Sequence, residues 1–140
     1  MRNIALASAL LVIASAAPAR ADFCLSTGFA TWVGKGFRIP PKGKCKPWNG
    51  FLVTTASSIP RVGSGTACRS STDGSTHLSL QFTDVRPLIQ LVFLDAIELP
   101  APPATTGTYT EFAMAPGSPM SQFSSTLQVV PCAPKSVPVP

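Results

Sequence analysis

The stretch His77–Leu99 reads HLSLQFTDVRPLIQLVFLDAIEL and is the densest apolar run of the chain. It opens in strict alternation: Leu78, Leu80 and Phe82 fall on one side, His77, Ser79, Gln81 and Thr83 on the other. Side chains two apart share a face only in a strand, so this part reads as a half-buried β-strand. After a break at Asp84–Pro87 comes LIQLVFL, apolar at nearly every position, as in a strand covered on both faces. Pro87–Leu99 has two readings. As a strand, Ile89, Leu91, Phe93, Ile97 and Leu99 share a face interrupted by Asp95. As a helix, Asp84 would cap it, Pro87 would sit in its first turn, and Gln90, Asp95 and Glu98 would gather on one side. Leu91 and Leu94 spoil that polar side and the neighbouring segments are all β, which favours the strand.

Upstream, Thr66–Ser71 and Ser75–Thr83 flank Asp73-Gly74. Asp-Gly between two β-compatible runs is the chemistry of a tight hairpin, in which both central residues take positive φ. Gly28–Val33 and Asn49–Ala56 are further candidate strands. Lys35–Pro47, with paired prolines and several glycines, reads as a loop, and so does Ser57–Gly65, which contains Pro60. Downstream, Pro100–Pro103 forces an extended connection. Gly107–Met114 and Phe123–Val130 are the last candidate strands, separated by Pro116–Pro119. About seven short strands, frequent turn signals and no long helical pattern predict an all-β fold, a small antiparallel β-sandwich or barrel. There is no internal repeat.

The N-terminus has its own logic. Met1-Arg2-Asn3 gives a positive start, Ile4–Ala14 an apolar run and Ala19-Arg20-Ala21 an A-x-A cleavage signal. Together they predict a secretory signal peptide over residues 1–21, too short in its apolar part to span a bilayer. Residues 22–132 form the expected single β domain, and 133–140 a proline-rich, disordered tail. Removing the leader leaves nine Lys/Arg against six Asp/Glu, so the +5 of the whole chain falls to about +3. Such a product is periplasmic or extracellular.

All four cysteines, Cys24, Cys45, Cys68 and Cys132, lie in the mature part. An even count in a small exported domain predicts two disulfides. Three pairings are open, of which Cys24–Cys132 and Cys45–Cys68 best suit the termini and the basic loop. The spacings lack the close pairs a zinc site needs, and the chain has one histidine, so no metal or cofactor is expected.

No catalytic motif stands out. His77 has Asp73 and Ser70, Ser71, Ser75 and Ser79 near it in sequence, which keeps a small hydrolase as a remote alternative. Those residues also have ordinary reasons to sit in a hairpin, and a triad needs them placed across a pocket. The one surface with a chemical signature is the basic loop. Trp32, Lys35, Phe37, Arg38, Lys42, Lys44, Lys46 and Trp48 put five cations and three aromatic rings into seventeen residues. Cations meet anionic groups, and indole faces meet sugars or cations. The expectation is therefore a non-enzymatic exported binding module. Its partners would be an anionic envelope polymer or an exported protein, with no nucleic acid and no stable membrane span. A structural subunit paired through a strand edge such as Tyr109–Met114 is the alternative.

Overall fold

The computed structural model describes residues 21–86 and 89–132. The expected leader, apart from Ala21, and the tail Ala133–Pro140 lie outside the described residues. Eight strands follow one another: β1 Phe23–Ser26, β2 Ala30–Gly34, β3 Cys45–Thr54, β4 Ser57–Arg69, β5 Thr76–Arg86, β6 Ile89–Leu99, β7 Thr106–Met114 and β8 Ser121–Val130. Each pairs antiparallel with its sequence neighbour, and β8 returns to β1 to close a barrel.

Alternation along each strand sorts side chains into inside and outside. The leucines and phenylalanine of β5 point inward, joined by Leu25, Trp32, Ile97, Tyr109 and Leu127 in one continuous core. Thr66, His77, Ser79, Gln81, Thr108 and Thr126 face outward and are exposed. A lipid-spanning barrel needs the reverse arrangement. A second, smaller cluster lies outside the wall, where Cys24, Val33 and Phe51 are covered by Val130 and Cys132.

Eight strands leave an interior just wide enough for side chains, so large rings must face small residues. Trp48 and Phe82 are buried ring against ring, with centroids 5.8 Å apart. Gly50 makes the room: a Cβ there would strike the Val33 carbonyl and lie 2.9 Å from the Trp48 ring. Gly63 does the same beneath Phe82.

Several expectations change. Pro87–Leu99 is a strand from Ile89 onward, and Asp95 does not interrupt its buried face but sits on it, 2% exposed. Ser57–Gly65 is not a loop but the first part of β4. Pro60 is tolerated there because pairing with β5 begins only at Gly63, so its missing N–H costs no bond on that side. The Asp73-Gly74 hairpin exists, but as a wider connection closed by Ser70 N–H donating to the Ser75 carbonyl at 2.8 Å. Only Gly74 takes positive φ (72°), while Asp73 uses its carboxylate to accept from the Ser75 N–H at 2.9 Å. Tyr109–Met114 is no edge, being paired to β6 on one side and β8 on the other.

The disulfides join Cys24 to Cys132 and Cys45 to Cys68. They span 108 and 23 residues respectively. Loop-closure entropy makes removal of the first the more damaging by about 1 kcal/mol, a difference readable in urea unfolding of the two paired Cys→Ser variants. Gly50→Ala is expected to cost about 2 kcal/mol or more, because the carbonyl it strikes is backbone and cannot step aside. A change below half a unit in the same assay would refute that packing account.

Candidate functional site

The two ends of the barrel differ. At one end the chain between β2 and β3 folds across the opening and plugs it. Phe37 is 7% exposed, packs edge-on to Phe23 at 5.6 Å, and joins the core with Ile39 alongside. Asp22 fastens this loop by accepting from Lys35 Nζ and the Gly36 N–H, both at 3.0 Å. Gly43 N–H donates to the Arg69 carbonyl and Arg69 N–H to the Lys44 carbonyl, so the loop's far end extends the β4 ladder.

This placement divides the eight residues of the basic, aromatic surface. Trp32, Phe37 and Trp48 belong to the core and offer no ring face to solvent. Their apolar bulk is what the narrow interior consumes. Lys35, Arg38, Lys42, Lys44 and Lys46 are all exposed. Lys35, Arg38 and Lys46 surround one concavity of about 530 Å³, floored by Gly36, Pro47 and Asn49. Lys42 and Lys44 lie apart from it, Lys42 leaning toward Gly74 of the hairpin.

His77 is exposed on that hairpin, as the alternation implies. Ser75 Oγ lies 3.3 Å from its Nε2 and donates to Asp73 Oδ1 at 2.7 Å. The serine is thus the middle member of the chain, whereas a nucleophilic triad needs the imidazole between serine and carboxylate. Hydrogen bonds from the Ser75 hydroxyl and N–H, with Ser70 adding another, hold Asp73 down at about 2. The group is a turn clasp.

Among the described residues no loop crosses the opposite end of the barrel, and none of the residues lining it belongs to the basic loop except Trp32. A cavity of about 300 Å³ opens here between the β1–β2 and β3–β4 turns. Its lining includes Phe29, Trp32, Arg61, Tyr109, Glu111 and Phe123. Deep in the wall, Trp32 Nε1–H donates to Asp95 Oδ2 at 2.7 Å. Asp95 Oδ1 is buried and receives no bond from an N–H or hydroxyl. Glu111 is its direct partner across the β6–β7 ladder, which sets the two carboxyls side by side. Burial pushes Asp95 up to about 7; the Trp32 hydrogen bond opposes the shift and the neighbouring Glu111 adds to it. Burial also raises Glu111, against the pull of Arg61 and the bond from Asp95. Burial and both carboxyls lift the Tyr109 hydroxyl to about 12, so it stays protonated.

Arg61 lies over the Phe93 ring at 4.0 Å and reaches Asp84 at 3.7 Å. Among the described side chains no Lys or Arg nitrogen comes within 4 Å of Asp95 or Glu111. Sequence reading picked out Asp95 as a break in an apolar face but not Glu111, whose pairing depends on a register the sequence does not carry. Comparison of the chain with protein-family models, curated proteins and solved structures found no match.

The raised Asp95 gives a pH prediction with a definite sign. The folded protein holds this proton more tightly than the unfolded chain. Its contribution is therefore complete below the ordinary aspartate range and is lost as pH rises through about 7. Asp95→Asn keeps an acceptor for Trp32 and cannot titrate. Urea unfolding from about pH 5 to about pH 8 should show wild type losing stability relative to the variant, by a few kcal/mol at most. A gap between the two proteins that stays constant across that range would rule the titration out.

Proposed function

We propose that this chain is an exported binding module that meets anionic envelope polymers with its plugged end. The observation that carries the reading is the grouping of Lys35, Arg38 and Lys46 around one concavity. Arg38 can fork onto a carboxylate or phosphate, and lysines act as point charges beside it. A loop anchored by Phe37 in the core and by Asp22 at its start holds those charges without reordering on contact. Two disulfides fit an oxidising compartment, which suits an exported protein working at the envelope. Such a surface requires no cofactor. The aromatic rings first expected to share in recognition play no part in it, so the interaction is electrostatic and sensitive to salt.

The test is capture of the purified protein on the producing cell's envelope fraction at low and high salt. Capture should occur at low salt and fall away at high salt, where charges are screened beyond a few ångströms. The variant Lys35→Gln/Arg38→Gln/Lys46→Gln should lose capture while unfolding within about 1 kcal/mol of wild type, since the one ion pair it breaks is at the surface. Undiminished capture by that variant would discard the reading.

A further inference from the structure

We propose that the mouth of the barrel, apart from the basic face, binds a small organic cation, with its ammonium or amidinium group against Glu111, the carboxyl that lines the cavity in front of buried Asp95, and its apolar body against the aromatic wall. Phe29, Phe123, Tyr109 and Trp32 form one connected series of rings, with successive centroids 5.8, 6.0 and 4.9 Å apart. The outer two rings are 44% and 49% exposed, unusual for phenylalanines beside a core with unfilled space. Ring faces attract cations, and the attraction grows as water is excluded.

The polar groups choose the ligand's charge. Asp84 and the Phe93 ring engage Arg61, the guanidinium in the mouth. The carboxyl pair has the Trp32 indole N–H as its hydrogen-bond donor and no cation within 4 Å among the described side chains. Arg61 pulls on both carboxyls but is shared with Asp84 and the Phe93 ring, and burial still leaves Asp95 holding its proton up to about 7. A cationic ligand supplies a further positive charge and displaces the proton to solvent, so binding and deprotonation are one equilibrium. Facing the pair are the Trp32 N–H on β2, Arg61 on β4, itself paired with Asp84 on β5, and the Tyr109 hydroxyl on β7; burial raises Asp95 to about 7.

The rim is already built. Thr27 Oγ1 accepts from the Ala30 N–H at 2.9 Å and the Phe29 N–H at 3.2 Å, which fixes the β1–β2 turn. Thr55 N–H donates to the Phe29 carbonyl at 2.9 Å, tying that turn to the β3–β4 turn. A cavity of about 300 Å³ with a fixed rim takes a ring-sized molecule without rearrangement.

Three probes of one shape decide the matter by calorimetric titration: benzylamine as cation, benzyl alcohol as neutral analogue and benzoate as anion. Benzylamine should bind at least about tenfold more tightly than either of the others. Its affinity should rise about tenfold from pH 6 to pH 8, following release of the Asp95 proton, while that of benzyl alcohol stays level. Glu111→Gln should weaken benzylamine about tenfold and flatten its pH profile. Phe123→Ala, at a half-exposed position, should weaken benzylamine and benzyl alcohol alike, and it keeps the test open should the Glu111 variant misfold. Equal binding of amine and alcohol would reduce the mouth to an apolar cavity. Preference for benzoate would hand it to Arg61 and an anion. Either result, or no binding of any probe, overturns the proposal.

Discussion

Three residue pairs between β1 and β8 decide whether this chain is a barrel or a curled sheet. Cys24 faces Val130, Leu25 faces Val129 and Ser26 faces Gln128. β1 is only four residues long, so three of its residues must serve both β2 and β8 with little redundancy. A ladder this short is marginal on backbone bonds alone. The Cys24–Cys132 bridge lies at its end and links the two strands covalently, while the Leu25 side chain drives the same contact from inside. Closure removes every exposed edge, which a β domain of this size would otherwise have to protect by charge or cover.

Once closed, the interior dictates the rest. The narrow lumen accepts Trp48 and Phe82 only over inward glycines, and it draws Trp32 and Phe37 in as well. Against that economy Asp95 and Glu111 are anomalous. An apolar pair of similar volume would avoid the desolvation that raises both carboxyls, and such replacement usually stabilises a fold. Perturbed carboxyls concentrate where proteins bind or do chemistry. The cost is borne at the end of the barrel that has no plug, beside two exposed phenylalanines, and not in the fully packed middle.

What was legible in the sequence followed local physics. Alternation in His77–Thr83 identified β5, an even cysteine count indicated two disulfides, and frequent turns indicated an all-β fold. What was not legible depended on closure. Ser57–Gly65 looks like a loop because glycine and proline disfavour a strand in isolation. Gly63 is there for the Phe82 ring and Gly65 for the close approach of the β5 backbone at Ser79, both brought in from elsewhere in the chain. Trp32 and Trp48 look like surface anchors when read beside lysines, but a two-residue period places them on the inner face while the lysines crowd the loop. Phe37 is harder still, since a plugging loop has no period. The Asp95–Glu111 pair required knowing that β6 and β7 align those two positions.

The plug also explains why the chain presents two different surfaces and not one. Covering one end with a loop anchored through Phe37 leaves that loop's polar side chains facing solvent, and in this sequence those are lysines and arginine. The charges at that end are exposed to solvent, one of them paired with Asp22, so the contact proposed there would cost little desolvation and carry little selectivity. The other end holds its charges in a half-enclosed, ring-lined space, where each interaction is stronger and each unmatched group more costly. The contact proposed there would therefore depend on both size and sign of charge, and the two proposals rest on opposite ends of one barrel, separated by its packed core.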